Sequence, residues 1–197
     1  MSGALFSFTA MAVAARELSH DMGPFQMLLV RSGFGVMLVT LLLARSGFAQ
    51  LRVTHFRLHI TRNLIHFCGQ LGWFYVIGLI RLATVFAIEF TTPLWTAVFA
   101  AIFLREQLTA ARLTAVVLGI AGILVILRPG IAIVDPAALA MLIGALAFGL
   151  THIMTKKLAS RDAALCILFW MSFMQCVLAL GPALAHWAPL TSSHLPW

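Results

Sequence analysis

Charge is what this sequence has least of. Asp, Glu, Lys and Arg together make up 10% of its 197 residues, against roughly a quarter in a soluble domain. With 62% of the residues hydrophobic and a mean hydropathy of +1.02, no water-facing surface can be built, which excludes a soluble globular fold. Acidic residues are scarcest of all, six Asp+Glu against 13 Lys+Arg, for a net charge of +7. A basic excess can mark a nucleic-acid partner, but these charges punctuate apolar runs and form no single patch, so none is expected. Cysteine is nearly absent too. Cys68, Cys166 and Cys176 are odd in number and lie within apolar runs, which argues against a disulfide framework and offers no metal spacing. No positive residue precedes Arg16, so a cleavable signal peptide lacks its charged leading region.

What is present is a succession of apolar runs of about 17–25 residues, the length a helix needs to cross a bilayer. Seven spans are expected: 2–18, 25–44, 58–79, 82–104, 109–127, 136–155 and 163–185. The fold class is therefore an all-α, polytopic transmembrane helix bundle, with the lipid bilayer as its solvent. Asp21-Met22-Gly23-Pro24 and Arg128-Pro129-Gly130 carry turn chemistry between spans. With the N-terminus cytoplasmic, one side collects Arg45, Arg52, Arg57, Arg62, Arg105, Arg112, Lys156, Lys157 and Arg161, and the other Arg16, Arg31, Arg81 and Arg128. Nine against four favours that orientation by the positive-inside rule. Trp187 and Trp197 then suit an interfacial belt on the outer side.

A shift of 140 residues superposes "RELSHDMGPFQMLLVRS" (16–32) on "KKLASRDAALCILFWMS" (156–172) without a gap. Leu18 meets Leu158, Leu28 meets Leu168 and Ser32 meets Ser172. Five spans separate the copies, and five is odd, so the second copy must cross the membrane in the opposite sense. Inverted repeats of this kind build many secondary transporters. The chain divides on this basis into a first repeat of five spans (1–130) and two spans of a second (131–197).

Two segments carry a resemblance. "RSGFGVMLVTLLLARSG" forms the second span, and the run from "TRNLIHFCGQLGWFYVIGLIRLATVFAIEFTTPLWTAVFAAIFLREQLT" continues to a Gly-rich span closing in "LRPG". Their order of Arg, aromatic-Tyr, mid-span Pro, Leu-x-Glu-x-Leu-Thr and Arg-Pro-Gly resembles the EamA-type branch of the drug/metabolite transporter superfamily. That resemblance covers nearly the whole chain and implies a ten-span inner-membrane carrier of small metabolites or drugs. It implies a small-molecule substrate, no cofactor and no enzymatic activity. If the short chain works alone, a homodimer is one way to supply the surfaces of the absent spans. A non-transporting remnant or assembly partner is the alternative.

"FAIEFTTPLW" (86–95) poses the sharpest question, because a carboxylate and a proline interrupt an apolar span. An ionised group at membrane depth normally faces a cavity or a partner inside the bundle. Pro93 has no N–H for the carbonyl of Glu89, so a helix kink is expected there. Thr92 and Thr96 share the Glu89 face at helical spacing. Glu89 reads as the one buried acid, able to pair with an arginine or to exchange a proton for substrate. Counting helix rise from the span ends puts Arg31, Gln70, Glu89 and Gln175 in one layer roughly 9–15 Å below the outer surface, with Arg31 as the expected partner of Glu89.

Arg52, His55, His59, Arg62, Asn63, His66, Gln70 and Trp73 fall along one edge of the third span. The deeper four, Asn63, His66, Gln70 and Trp73, are expected to line a water-filled path. His66 reads equally well as a titrating group or as a satisfied bundle histidine. Arg52 and Arg57 are read as headgroup contacts at the cytoplasmic edge. His55 and His59 have metal-ligand spacing but no accompanying Cys or carboxylate, so no metal site is expected. Ala111, Ala115, Gly119 and Gly122 read as close helix packing, and Glu106 as a turn residue pairing with Arg105 or Arg112. A membrane-embedded enzyme is disfavoured, since no span sets His beside an acid or nucleophile at catalytic spacing.

Overall fold

The computed structural model describes residues 2–107, 109–127 and 135–189. Among them are eight α-helices: α1 (Ser2–Leu18), α2 (Pro24–Ser46), α3 (Phe56–Ile77), α4 (Leu82–Glu89), α5 (Thr92–Leu104), α6 (Ala110–Leu127), α7 (Pro136–Ala159) and α8 (Ala164–Ala185). A 3-10 turn, Phe48–Leu51, links α2 to α3. The seven apolar runs are all helical, and the described helices form an all-α bundle. Four stretches are long and apolar enough to cross a membrane: Pro24–Ser46, Leu82–Leu104, Pro136–Ala159 and Ala164–Ala185. α3 is of similar length, but the polar residues along its edge lower its hydropathy.

Proline sets several helix starts. Pro24, Pro93 and Pro136 each occupy the first turn of a helix, where a missing N–H removes no intrahelical bond and the fixed φ is already helical. Asp135 completes the α7 start by accepting from the Ala137 N–H at 2.8 Å. The fourth span differs from a simple kink at Pro93. The chain leaves helix at Phe90 and Thr91, and α5 restarts with Pro93 in its first turn. A proline inside one continuous helix would clash with the preceding turn; placed two residues after a break it fits. Thr91 closes the interruption, its hydroxyl donating to Ile88 O at 2.6 Å and accepting from Trp95 Nε1 at 3.1 Å.

The bundle is organised around two close pairs, α2 on α8 and α3 on α7, with α5 and α4 also against α7. Its distribution of polarity reverses that of a soluble protein. Phe34, Leu38 and Leu41 of α2, Ile102 and Phe103 of α5, Leu118 and Val125 of α6, and Val177 and Leu184 of α8 are exposed. Gln26, Ser32, His59, Arg62, Asn63, Gln70 and Gln175 are buried. Apolar side chains outward and hydrogen-bonded polar groups inward is the arrangement a hydrocarbon solvent imposes.

At one end of the bundle Arg16 of α1 donates to Ile77 O at 3.1 Å and to Ile80 O. This places a cation on the exposed carbonyls of the α3 C-terminus, where the helix dipole favours it. At the same end Gln26 clamps the backbone of Ala188, donating to its carbonyl (2.8 Å) and accepting from its N–H (3.0 Å). Trp187 is exposed there, whereas Trp197 and Arg128 lie outside the described residues.

Two turns share one hydrogen-bond pattern at an offset of 140. Asp21 N and Met22 N both donate to Leu18 O, and Arg161 N and Asp162 N both donate to Leu158 O. Met27 N donates to Gly23 O as Ile167 N donates to Ala163 O. Across the α2–α8 contact Ser32 Oγ donates to Gln175 Oε1 at 3.0 Å. The position opposite, Gly35, sits so close to Ser172 that an added Cβ would meet its hydroxyl at 2.8 Å. Ser32 and Ser172, and Gly35 and Gln175, are related by the same offset.

Close packing of the small residues on α6 holds at Gly119, where a Cβ would meet Leu94 at 3.0 Å, but not at Gly122, which has nothing within 4 Å. A groove of about 480 Å³ opens between α6 and the α4–α5 pair, lined by Phe90, Pro93, Leu94, Ala115, Gly119 and Gly122 among others.

Candidate functional site

α3 supplies the spine of the site. Positions 59, 62, 63, 66, 70 and 73 return to one side of the helix every three or four residues, and five of the six bond or contact a neighbouring helix or turn. His59 Nε2–H donates to Asp162 Oδ2 at 2.7 Å, both side chains being fully enclosed. One turn on, Arg62 Nε donates to Thr155 Oγ1 of α7 (3.0 Å) and its Nη1 to Asn63 Oδ1 (2.8 Å). Asn63 Nδ2 in turn reaches Met174 Sδ of α8 at 3.2 Å. His66 accepts at Nδ1 from Gln175 Nε2 (2.8 Å), and Gln175 accepts from Ser32 of α2. Gln70 is buried, with Oε1 unpartnered among the described residues. Trp73 Nε1 donates to Glu89 Oε2 at 2.6 Å. The result is a polar seam along one side of α3, tied to its neighbours in separate hydrogen-bonded groups.

The Glu89 end of the seam is walled by aromatic rings. Trp73 is 3% exposed and lies edge-on to Phe74 at 5.1 Å. Phe8 of α1 packs on both Trp73 (6.2 Å) and Phe86 (5.6 Å), so α1 closes this side of the site. The indole N–H meets one oxygen of the Glu89 carboxylate, which stands at the C-terminal end of α4, where the helix dipole gives an anion no support. An ionised carboxylate without such donors would be costly at this depth.

The expected site residues divide as follows. Asn63, His66, Gln70, Trp73, Glu89 and Gln175 lie along the seam. Thr92 is buried with its Oγ1 unpartnered among the described residues. Thr96 donates to Thr92 O at 2.9 Å and lies 3.4 Å from His152 Nδ1. His66 is hydrogen-bonded within the bundle, its ring also against Phe148 at 5.6 Å.

The Arg31–Glu89 pair is not formed. Glu89 is held by Trp73, and no ion pair among the described residues joins it to Arg31. Helix rise fixes depth but not the direction a side chain takes around the bundle. Arg31 is half-buried and lies, with Arg62 and His152, close enough for its charge to bear on His66.

Glu89 is also not the only buried acid. Asp162, in the α7–α8 turn, is 5% exposed and more enclosed than the half-buried Glu89. Besides His59 it accepts from the Thr54 N–H (3.1 Å) and hydroxyl (2.5 Å). Burial works to raise its pKa, but the Thr54 and His59 hydrogen bonds outweigh burial and hold the carboxyl below the usual carboxylate range. His59 is thereby a buried anchor at this end of α3. Arg161 donates to His55 at 3.0 Å beside it. Sequence reasoning missed Asp162, Thr155, His152 and Ser32 as partners. The regular polar spacing of α3 signalled that partners must exist, without naming them.

Glu106, in the loop between α5 and α6, pairs with Lys156 of α7 and with Arg112 at 3.5 Å. The Lys156 hydrogen bond comes first among the causes that lower its pKa. Arg105, the other expected partner, instead ends α5 in the left-handed conformation at φ 55°. No group of three or more His, Cys, Asp or Glu side chains suited to a metal occurs among the described residues.

A bundle with apolar flanks and a hydrogen-bonded polar interior defines a polytopic membrane protein. The chain belongs to the EamA-like transporter family, whose model matches residues 1–128. It is 25% identical over 183 residues to an S-adenosylmethionine uptake transporter of Rickettsia bellii, a match covering 93% of this chain and 63% of that protein. To the protein of the same description from Rickettsia conorii it is 25% identical over 191 residues, covering 97% and 65%. A riboflavin transporter of Brucella anthropi is 35% identical over 88 residues, covering 45% of this chain and 31% of the relative. The chain thus spans less than two thirds of the length of these relatives. No solved structure matches it.

Proposed function

We propose that this chain carries a small metabolite across the bacterial inner membrane by alternating access, with the α3 seam as the substrate path. The observation that carries this reading is the line of buried and half-buried polar side chains along α3, bounded by Asp162 at one end and, at the other, by Glu89 beside a broken helix. Discontinuous helices beside midplane polar groups are what secondary transporters use to bind and release cargo. Arg31, Asn63, His66, Gln70, Trp73, Glu89, Thr92, Thr96 and Gln175 border the cavity in this account, and the Phe90–Thr91 break beside Pro93 is its hinge. Glu89 exchanges a proton for substrate, its carboxyl held by Trp73 when no substrate is bound.

The chain is organised as a first inverted repeat (1–130) and part of a second (131–197), with the N-terminus cytoplasmic. The matched turns at Leu18 and Leu158, and the reciprocal Ser32–Gln175 and Ser172–Gly35 contacts, support a two-fold relation between α2 and α8. In this orientation the Asp162 and Glu106 clusters lie on the cytoplasmic side, and the Arg16 and Gln26 contacts on the outer side. Two copies of the chain complete the cavity if it acts without further spans.

The test is uptake of radiolabelled S-adenosylmethionine and riboflavin into liposomes containing the purified chain, with and without an imposed pH gradient. Saturable uptake that responds to the gradient, and loses that response in Glu89→Gln, is expected. Absence of uptake for both, with the chain recovered as a stable homodimer, would contradict carriage and favour a membrane assembly partner.

A further inference from the structure

We propose that the groove between α6 and the α4–α5 pair holds one acyl chain of an anionic phospholipid, with the lipid phosphate at Arg112. This binding is independent of solute carriage, so its test stands apart from the transport assay.

The groove has a volume of about 480 Å³, and among the described residues Arg112 is the one charged side chain in its lining. Leu94, Val116 and Ile123 are buried against one another and form its floor. Phe90 and Ala115, at its rim, are exposed, so it opens on the apolar flank of the bundle. Thr91 contributes the lining's one hydroxyl, and that group already donates to Ile88 O and accepts from Trp95. Away from Arg112 the walls therefore offer no free polar side chain. Such a surface suits hydrocarbon and gives a polar metabolite little to bond.

Length and charge choose the occupant. The α6 side of the lining runs from Arg112 to Ile123, about 16 Å at the helical rise. That is close to the depth of one leaflet in a hydrocarbon core of ~30 Å. A helix of this length, about 10 Å across, would displace more than twice the groove's volume, so a single hydrocarbon chain fits where a span of a second copy does not. The cation stands at the end a headgroup would reach. Arg112 lies in the first turn of α6, and its side chain is 54% exposed. It is 3.5 Å from Glu106, which Lys156 also holds; this is longer than a formed hydrogen bond. Two cations sharing one carboxylate leave a positive excess, which attracts an anionic headgroup, and the guanidinium fork suits its phosphate. The acyl chain then lies along Phe90 and Pro93, beside the break between α4 and α5.

The experiment places the full chain in phosphatidylcholine nanodiscs doped with a phosphatidylglycerol that carries a diazirine midway along one acyl chain, and maps the photo-adducts by mass spectrometry. Adducts are expected to concentrate on Phe90, Leu94 and Ile123 of the groove, over the exposed flank residues Leu38, Phe103 and Val177. At a fixed amount of label, replacing phosphatidylcholine with unlabelled phosphatidylglycerol should suppress the groove adducts. The relative affinity should favour phosphatidylglycerol about fivefold, the scale of one basic side chain near the surface. Arg112→Gln should bring that ratio toward one. Gly122→Leu, whose added Cβ meets nothing within 4 Å, should abolish the groove adducts. Flank adducts unchanged in both variants are the control that the chain is still folded in the bilayer. Equal labelling of groove and flanks in the wild type would overturn the site and leave ordinary boundary lipid. A ratio that Arg112→Gln leaves unchanged would overturn the phosphate contact. Groove adducts absent, with a disulfide joining two copies through Ala115→Cys in a chain otherwise free of cysteine, would assign the groove to a second copy and overturn the lipid.

Discussion

Asp162 offers the most quantitative check on how this bundle is held together. Its carboxylate accepts three hydrogen bonds, from Thr54 N (3.1 Å), Thr54 Oγ1 (2.5 Å) and His59 Nε2 (2.7 Å). Thr54 is exposed, so water can replace part of what it gives. His59 and Asp162 are both fully enclosed, and their contact has no such substitute. Removing one partner of a buried pair costs about 3–5 kcal/mol, because the other is left without an answer. Asp162→Ala should therefore shift the unfolding equilibrium by roughly two to four powers of ten. Asp162→Asn keeps one acceptor and should lose less. The pH dependence has a definite sign. Because the folded-state pKa is depressed, the stabilisation is fully present above the unfolded carboxylate value, about 3.9. It disappears as pH falls through the lower folded value. Denaturant titration in detergent micelles, followed by tryptophan fluorescence, reads both effects. If Asp162→Ala stays within about 0.5 kcal/mol of wild type, as an ordinary surface change would, the reasoning fails.

Three further outcomes follow from single positions. Trp73→Phe removes the donor to Glu89 and should lower stability by about 1.5–3 kcal/mol, the worth of a bond to a charged group; Trp73→His, which restores a ring N–H, should recover part of it in the same titration. Gly149→Ala would place a Cβ 2.8 Å from Trp95 Cβ and 3.1 Å from the Thr96 backbone, so a loss of about 1–3 kcal/mol by overpacking is expected. Gly122→Ala, with nothing within 4 Å, should be neutral or slightly stabilising through helix propensity.

How far the sequence revealed all this depends on the kind of signal. Hydropathy located every helical stretch, with α4 and α5 sharing one run, because in a bilayer the apolar run is the structural unit and its length is set by the solvent. The polar edge of α3 was legible for the same reason: polar residues that recur on one side from His59 to Trp73, about four turns, do not face lipid. The partners were not legible. Asp162, in "ASRDAAL", looks like any charged turn, and only the approach of the α3 N-terminus buries it. The break at Phe90–Thr91 was anticipated as a kink nearer Pro93, since a proline announces a disturbance without fixing on which side the helix yields. The Arg31–Glu89 pairing was inferred from depth alone. Azimuth around the bundle decided it, and Trp73 was the donor that faced the carboxylate.

The central claim is that the α3 seam is open to aqueous solutes while the outer flanks meet lipid. The direct test uses a variant free of Cys68, Cys166 and Cys176, into which Gln70→Cys, Arg31→Cys or Leu64→Cys is introduced, labelled in membranes with a charged, membrane-impermeant methanethiosulfonate. Leu64 is 42% exposed on the opposite side of α3 and should stay unlabelled, because its surroundings are acyl chains. Labelling at positions 70 and 31 but not at 64 is the result this account requires. Labelling at 64 with positions 70 and 31 unreactive would contradict it.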